Sequence, residues 1–492
     1  MLVKQSKSSF IRCTSKYGYI TNQQTRQDRV YNATGALFLM HISRFPNEID
    51  DIIKTLLKKL EGVSFEELKE DFISFINDLE DFRFVVTGFT EEELEKKDLD
   101  FNYANGSPKT LLRNFTQSTK ELVPENTQDF FLEENQGKPL ISAIQFELSS
   151  RCNERCIHCY VPNAKKNQGF DMPFQKVKNI LDEFASMGGI HVTLSGGEAF
   201  LHKDLMNICK YCREKDLKIT ILSNLISLKD EHIPILRETN VSLIQTSLYS
   251  MDPIIHDKIT TVKGSHQKTI TAIEKLVAAN IPVQLSCPLM KTNKDGYREV
   301  LEYAQKLKIR AQTDYILMAE SNLDTSNLKN RLSLQETEKV IRDIIEYDID
   351  YREISVTRKS QSEDYHIDKE RFKKQPLCGV GYDNCCITAN GDVYPCAGWQ
   401  NYILGNVYHQ SLKEIWEQSE KIIELRKITQ ANFPQCLECE AFDFCSRCLV
   451  RNYNETNGDM FSIPKHFCDV AFLNMRLVNE YEEKIKKEMY IS

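Results

Sequence analysis

Short stretches of alternating hydrophobic and polar residues recur between residues 141 and about 335, and segments with helical periodicity separate them. The predicted strands are AIQFELSS, HVTLSGGE, KITILSN, SLIQTSLYS, PVQLSCPL and TDYILMA, and PFQKVKNILDEFASMG, LMNICKYCREKD and HQKTITAIEKLVAAN are typical intervening helices. Strands that alternate with helices indicate βαβ units and a parallel, barrel-like sheet. The predicted fold class is therefore α/β, with chemistry expected at the carboxyl ends of the strands.

The first 90 residues follow a different pattern. Two strand-like stretches, around SKYGYITN and DRVYNAT, precede the helix-like GALFLMHISRF and two amphipathic helices near residues 49–60 and 65–79. Ser64 and Glu67 predict a capping box at the start of the second of these. A few strands followed by three helices is the layout of a small winged-helix unit. Residues 90–140 are charge-rich and poorly periodic, which predicts a linker.

Composition narrows the functional classes. The 492 residues carry a net charge of −8, which lacks the basic excess that binding to nucleic acids usually requires. No apolar run approaches the roughly 20 residues of a membrane helix, and the polar start MLVKQSKSSF has no signal-peptide core. We therefore expect a cytoplasmic protein with neither nucleic acid nor membrane as a partner.

The 16 cysteines are more informative, because twelve of them fall into two clusters. Clustered cysteines in a reducing compartment usually indicate a metal site. The first cluster, Cys152, Cys156 and Cys159 in SRCNERCIHCYVP, directly follows a predicted strand. Three cysteines would leave one iron of a cubane cluster without a protein ligand and free to bind a small molecule. Zinc with His158 as its fourth ligand, or simple packing of the thiols, is the alternative.

This C-x3-C-x2-C loop resembles that of the radical S-adenosylmethionine (SAM) enzymes. Gly196, Gly197 and Glu198 form a GGE motif after the second strand, as in that family. The glycines let the backbone approach a ligand closely, and Glu198 is similar to the carboxylate that holds the SAM ammonium. Asn224 and Ser247 match further strand-end positions that contact SAM in relatives, although SNL departs from the commoner TNG. A turn-forming role for both polar residues stays open.

The resemblance implies a partial (β/α)6 barrel of the TIM type and a mechanism. SAM would chelate the open iron of a [4Fe-4S] cluster, and one electron would cleave the sulfonium to a 5′-deoxyadenosyl radical that abstracts hydrogen from the substrate. The protein's part is to position the substrate and to exclude water. An electron donor such as flavodoxin or ferredoxin is an expected partner.

The second cluster of cysteines, together with Gly391, resembles the SPASM extension, which carries two auxiliary iron-sulfur clusters. The family pattern implies three [4Fe-4S] clusters in all, although two residues, not the commoner three, separate Cys445 from Cys448. A zinc ribbon stays open as an alternative. The implied ligands are Cys436, Cys439, Cys445 and Cys468 for one auxiliary cluster, and Cys378, Cys396 and Cys448 with either Cys385 or Cys386 for the other.

The N-terminal unit resembles a RiPP recognition element, which binds the leader of a ribosomally made precursor peptide as an added strand. Winged-helix units also bind DNA, but the acid-rich segment 48–98 opposes that function. The predicted domains are a recognition element at 1–110, a linker at 111–140, the radical SAM barrel at 141–335, a connecting segment at 336–370 and the SPASM domain at 371–492.

Together these resemblances imply a peptide maturase that cross-links a precursor peptide. The leading hypothesis is a Cys sulfur-to-carbon thioether, as in sactipeptide and ranthipeptide enzymes. Enzymes that form carbon-carbon cross-links, or that oxidise a protein residue as sulfatase maturases do, are the alternative. The sulfatase version is weakened because Ala397 follows Cys396 where those enzymes carry an Asp. A nonenzymatic iron-sulfur or zinc protein is disfavoured, because a passive carrier needs no open iron.

Overall fold

The computed structural model describes residues 1–14, 16–24, 27–98, 139–166, 169–347 and 369–491. The N-terminal unit contains two three-stranded antiparallel sheets with orders β5-β1-β6 and β2-β3-β4. Its elements are β1 Leu2–Gln5, β2 Ser9–Cys13, β3 Gly18–Asn22, β4 Gln27–Tyr31, α1 Ala33–Leu39, β5 Asn47–Glu48, α2 Ile49–Leu56, α3 Phe65–Asp81, β6 Val85–Gly88 and α4 Glu91–Lys97.

The two strands and three helices expected in this unit are present, and Ser64 and Glu67 form the capping box. The pattern missed β1, β2, β5 and β6 as well as α4, a helix inside the segment that was predicted to be linker. Strand β1 pairs with β6, about 80 residues later, with Leu2 opposite Gly88. Such pairing is non-local, so the short strands involved carry little signal of their own.

The barrel sheet follows the predicted α/β order. Its six strands are parallel and adjacent in chain order, from β7 at one side to β12 at the other, so the predicted fold class is confirmed. The elements are β7 Ala143–Glu147, α5 Asn163–Lys166, α6 Phe174–Ser186, β8 His191–Ser195, α7 Leu205–Glu214, β9 Lys218–Leu222, α8 His232–Glu238, β10 Leu243–Ser247, α9 Pro253–Thr260, α10 Ser265–Ala278, β11 Val283–Pro288, α11 Tyr297–Lys306, β12 Arg310–Asp314 and α12 Leu334–Tyr347.

The sixth strand lies earlier than the sequence analysis placed it. The apolar run at 313–319 predicts a strand there, whereas β12 spans Arg310–Asp314 and the chain after it is irregular. Leu317 and Ala319 are nevertheless buried. This run is apolar because other parts of the chain cover it. Buried strands and buried loops are both apolar, so hydrophobicity alone does not predict a strand here.

The C-terminal region continues the barrel sheet. Strand β13 pairs in parallel with β7, and β14 and β15 extend the sheet in antiparallel fashion. The region comprises α13 Lys369–Lys373, β13 Asn384–Thr388, β14 Asp392–Tyr394, β15 Gly405–Asn406, α14 Leu412–Gln418, α15 Glu420–Leu425, α16 Pro434–Leu437, α17 Leu449–Glu455 and α18 Lys465–Ile491. Apolar residues of α18, including Leu473 and Leu477, pack on Ile341 and Ile345 of α12.

The N-terminal unit docks directly on the barrel at the amino ends of its strands. Arg12 donates from Nε to the Gly189 carbonyl (2.9 Å) and from a terminal nitrogen to the Asp216 carbonyl (2.8 Å). The Asp216 carboxylate pairs with Arg44 and accepts from the Ile11 amide (3.0 Å). The unit therefore lies at the end of the barrel opposite to the carboxyl ends of the strands.

The longest stretches outside the described residues are 99–138, which holds the end of the predicted recognition element and nearly all of the predicted linker, and 348–368 of the predicted connecting segment. Residues 336–347 of the connecting segment belong to α12. Within the described ranges, no helix combines the length and the apolar character needed to span a membrane.

Candidate functional site

The three-cysteine loop leaves the carboxyl end of β7 and is held by backbone contacts on two sides. The Arg155 and Ile157 amides donate to the Thr260 and Ile259 carbonyls at 3.1 and 3.0 Å. On the other side, Asn330 Nδ2 donates to the Ile157 carbonyl at 2.8 Å. Cys152, Cys156 and Cys159 are all half-buried. These hydrogen bonds hold the loop, and with it the three thiols, in place.

The GGE motif lies directly on this loop. The Gly197 amide donates to the Ser149 carbonyl at 2.7 Å, and the Glu198 amide donates to the Arg151 carbonyl at 2.9 Å. A Cβ atom on Gly197 would lie 2.3 Å from the Arg151 carbonyl oxygen, and Gly196 has a φ of +148°. The glycines thus allow a close approach to the backbone of the cysteine loop, and their contact with a ligand stays a prediction.

Glu198, the last residue of the GGE motif, is buried, and hydrogen bonds from nearby residues orient its carboxylate. Oε1 accepts from Ser223 Oγ (2.6 Å) and from the Phe200 amide (2.9 Å), and Oε2 accepts from the Asn224 amide (2.8 Å). Burial raises the pKa of Glu198, and these three donors oppose the increase. A carboxylate oxygen can accept two hydrogen bonds, so Oε2 retains capacity for an ammonium group.

Asn224 and Ser247 lie at the same end of the sheet. Asn224 Nδ2 donates to Asn153 Oδ1 inside the cysteine loop at 2.7 Å. Ser247 is the last residue of β10, and the Tyr249 hydroxyl, two residues later, donates to Cys156 Sγ at 3.8 Å. The structure therefore brings every predicted residue of this site to the carboxyl ends of β7 to β10.

His158 occupies the slot beside these thiols and packs edge-on against Tyr249, with ring centroids 5.1 Å apart. Burial, followed by the nearby Lys166 ammonium, lowers the pKa of His158 to about 4. Its Nδ1 has no partner among the described residues. In the part of the chain that the structure describes, no three His, Cys, Asp or Glu side chains form a site for a single metal ion.

Lys166 is a member of this site that sequence reasoning missed. Its side chain is almost fully buried, at 4% exposure. Burial lowers the pKa of Lys166, but the thiols of Cys159, Cys152 and Cys156 outweigh it and raise that pKa overall. In the sequence Lys166 belongs to a Lys-Lys pair that looks solvent-exposed, so no local signal marks it.

The C-terminal cysteines form two groups in space. In the first, burial raises the pKa of Cys378 to about 11; the Val380 amide opposes this, and the Cys448 and Cys396 thiols add to it. In the second, burial raises the pKa of Cys436 to about 11, an effect that Arg447 opposes and Cys445, Cys468 and Cys439 reinforce. A cavity of about 370 Å³ lies among the second group.

Cys385 and Cys386 point to opposite sides of β13. Cys385 pairs with Ile144 and shares the hydrophobic core with it, whereas Cys386 pairs with Gln145. Burial raises the pKa of Cys386 well above its usual value, and Glu147, Cys385 and Cys396 add to that effect. Burial alone raises the pKa of Cys385 to about 12. Only Cys386 therefore faces another cysteine of the first group.

Glu147, the last residue of β7, is a second feature that the sequence analysis missed. Gln400 Nε2 donates to its Oε1 at 2.6 Å, and Lys165 donates to the Gln400 carbonyl at 2.9 Å. Glu147 and Lys165 both line a cavity of about 300 Å³ between the cysteine loop and β13–β14. The inward position of Glu147 in the alternating stretch AIQFE is the only signal of this role in the sequence.

Comparison with known proteins identifies both regions. Residues 146–304 match the radical SAM superfamily model, and residues 378–440 match SPASM, an iron-sulfur cluster-binding domain. The chain therefore carries a radical SAM domain followed by a SPASM domain. The thiol groups, the glycine contact and the free capacity of Glu198 fit the binding of SAM and iron-sulfur clusters.

Two curated relatives each match somewhat less than two thirds of the chain. An AdoMet-dependent heme synthase of Methanosarcina barkeri is 25% identical over 331 residues, covering 64% of this chain and 93% of the relative. The antilisterial bacteriocin subtilosin biosynthesis protein AlbA of Bacillus subtilis is 24% identical over 322 residues, covering 63% of this chain and 67% of AlbA.

Two solved structures share the fold. SuiB of Streptococcus suis, bound to the precursor peptide SuiA, matches with a TM-score of 0.57 and 18% identity, covering 91% of this chain and 96% of SuiB. The protein anSMEcpe, with bound AdoMet and a Kp18Cys peptide, matches with a TM-score of 0.53 and 16% identity, covering 70% of this chain and 99% of anSMEcpe.

Proposed function

We propose that this radical SAM/SPASM enzyme installs cross-links in a ribosomally synthesised precursor peptide, with Cys sulfur-to-carbon thioethers as the first chemistry to test. The extent of the match to SuiB carries this proposal. The match covers 91% of this chain, and the residues outside it are too few to make up the N-terminal unit. The match therefore includes at least part of that unit. SuiB is bound to a precursor peptide in that structure. The heme synthase match covers only 64% of the chain.

In this proposal Cys152, Cys156 and Cys159 hold the SAM-binding cluster, and Glu198 Oε2 receives the SAM ammonium. When bound, the cluster and SAM supply the 5′-deoxyadenosyl radical that abstracts hydrogen from the substrate. Ser247 would contact SAM from the end of β10, and Tyr249 orders the side of the site next to Cys156 through its hydrogen bond to Cys156 Sγ. Tyr249 also closes that side against water, because it is buried at 4% exposure.

The auxiliary sites complete a set of three [4Fe-4S] clusters in the proposal. Cys436, Cys439, Cys445 and Cys468 hold one auxiliary cluster, and Cys378, Cys396 and Cys448 hold the other. We assign the fourth ligand of the latter to Cys386, because only Cys386 lies on the side of β13 that faces Cys396.

The N-terminal unit, residues 1–110 in the proposed division of the chain, would bind the leader as an added strand. Two large apolar side chains at its surface, Phe45 and Phe89, are each 78% exposed and would offer apolar contacts to leader residues. The remaining proposed segments are the linker 111–140, the barrel 141–335, the connection 336–370 and the SPASM domain 371–492.

Carbon-carbon cross-linking and oxidation of a protein residue, as by a sulfatase maturase, are the alternative function. The match to anSMEcpe, whose structure contains a bound peptide, supports this alternative. Against the sulfatase version, Ala397 supplies no carboxylate after Cys396. Tandem mass spectrometry separates the alternatives. A thioether consumes a cysteine thiol, whereas a carbon-carbon bond leaves it free to react with iodoacetamide. Oxidation of a single residue joins no two residues, so the backbone fragment ions around it persist.

The test uses the anaerobically reconstituted enzyme, SAM, dithionite and a Cys-bearing precursor peptide encoded beside the enzyme. We expect each cross-link to lower the peptide mass by that of one hydrogen molecule. The variant with Cys152, Cys156 and Cys159 all changed to Ala serves as the control and should leave the peptide unchanged. An unmodified peptide in a reaction where the wild-type enzyme cleaves SAM would overturn the peptide proposal, but not the assignment of the SAM site.

A further inference from the structure

The C-terminal cysteine run departs from the SPASM pattern at one point, because only two residues separate Cys445 from Cys448. One of these two is Arg447, and it lines the cavity of about 370 Å³ among the second group of cysteines. Most of the other residues in that wall are apolar, phenylalanine above all. Among the described residues that line the cavity, Arg447 is the only charged one. The auxiliary cluster proposed for this cavity would therefore face one cation in largely apolar surroundings.

The guanidinium of Arg447 is held in place on two sides. Its Cζ atom lies 3.8 Å from the centroid of the Phe442 ring, which is a close cation–π contact. The Phe442 carbonyl accepts from the amide of Cys445 at 3.2 Å, so this ring is tied to the cysteine run itself. On the other side, a terminal nitrogen of Arg447 donates to Gln430 Oε1. The Gln430 side chain is fixed in turn, because its Nε2 donates to the Pro376 carbonyl at 3.2 Å.

Further charged side chains act on this group of cysteines from outside the cavity wall. Lys465 and Asp469 lie at the start of α18 and form an ion pair at 2.5 Å, so their charges offset each other. Arg451, on α17, is a second cation near the site. Burial raises the pKa of Cys445, and Arg447 opposes that increase more strongly than Arg451 does. Arg447 is therefore the dominant charge on this group of thiols.

We infer that Arg447 raises the reduction potential of the auxiliary cluster in this cavity and so determines how readily that cluster accepts an electron. The inference rests on the proposed assignment of the cluster to the second group of cysteines. Four thiolates outweigh the charge of a cubane, so the cluster is an anion, and reduction adds a further negative charge. A fixed cation stabilises the reduced state more than the oxidised state, and an apolar wall leaves this attraction poorly screened. Arginine suits the role because its guanidinium stays charged when it is half-buried.

The test is a redox titration of the full-length, anaerobically reconstituted enzyme, followed by electron paramagnetic resonance spectroscopy. The signal of this cluster is identified as the one that Cys468→Ala removes. At a potential where the wild-type cluster is half reduced, Arg447→Gln should lower the ratio of reduced to oxidised cluster about tenfold, which is about 59 mV for a one-electron couple. Arg447→Lys keeps the charge and should lower that ratio by less than about threefold. The iron content of both variants should equal that of the wild type.

The matched control is Lys427→Gln, which removes one positive charge at an exposed position outside the cavity wall. It should leave the potential unchanged, because solvent and salt screen an exposed charge. A wild-type potential in Arg447→Gln would overturn the inference. So would an equal shift in Arg447→Lys, because the charge would then not be the cause. Loss of about four irons from Arg447→Gln would also overturn it, since Arg447 would then be needed to build the site. A Cys468→Ala variant that keeps every cluster signal would instead refute the ligand assignment on which the inference rests.

Discussion

Replacing Glu147 by Gln should make the enzyme more stable at neutral pH. Glu147 is 8% exposed, and burial raises the pKa of its carboxyl from 4.5 to about 7, against the opposing effects of Gln400 and Lys165. A negatively charged cluster bound near Cys386 would raise that pKa further. The amide introduced by Glu147→Gln would keep an oxygen that accepts from Gln400 Nε2 and would remove the titration.

The sign follows from the two protonation states. Below about pH 4.5 the carboxyl is protonated in both the folded and the unfolded chain and contributes nothing. As the pH rises from 4.5 to about 7, the unfolded chain ionises while the folded chain keeps its proton, so stability falls. Each pKa unit corresponds to about 1.4 kcal/mol, so the loss reaches about 3 kcal/mol and is constant at higher pH.

The assay is urea unfolding of the anaerobically purified enzyme, followed by circular dichroism, from about pH 5 to about pH 8. The Glu147→Gln variant should exceed the wild type's unfolding free energy by less than about 1 kcal/mol near the acidic end and by up to about 3 kcal/mol near the basic end. Glu214→Gln, at an exposed position, is the control and should show no such trend. A difference between Glu147→Gln and wild type that stays constant over this range would refute the reasoning, because Glu147 would then be ionised throughout.

Four further predictions test the site and the docking of the N-terminal unit. Gly197→Ala should weaken SAM binding in equilibrium dialysis, because its Cβ would lie 2.3 Å from the Arg151 carbonyl oxygen; unchanged binding would show that the two loops can separate without cost. Changing Cys152, Cys156 and Cys159 to Ala should abolish SAM cleavage and leave about eight of about twelve irons per chain, whereas residual 5′-deoxyadenosine would place the SAM site elsewhere. Cys386→Ala should remove the signal of one auxiliary cluster from electron paramagnetic resonance spectra and Cys385→Ala should not; the reverse result would contradict the assignment of the ligand to Cys386. Asp216→Asn should weaken docking of the N-terminal unit by about 3 kcal/mol, because the Arg44 guanidinium loses its partner. Hydrogen exchange at residues 2–13 should therefore accelerate. Unchanged exchange would mean that other contacts hold the unit.

Local patterns in the sequence were sufficient for much of the architecture and for the motifs. Period-two alternation located five of the six barrel strands, because each exposes one face to the barrel interior and the other to helices. Cysteine spacing and the GGE motif were readable for the same reason: each is a short segment whose chemistry depends on near neighbours. The sixth strand was misplaced because the apolar run after it is a buried loop. A buried loop is apolar without following a regular spacing, so its hydrophobicity resembles that of a buried strand.

Only the tertiary structure decided which side chains share a site. Cys385 and Cys386 are indistinguishable along the chain, but the pairing of β13 with β7, about 240 residues earlier, turns one into the hydrophobic core and the other toward Cys396. Because successive side chains of a strand point to opposite faces, a shift of one residue in that pairing would exchange their roles. Lys166 and Glu147 likewise acquire their surroundings from distant segments that fold over them. The sequence determined the elements and the motifs through local periodicity, whereas long-range pairing determined which charges and thiols face one another.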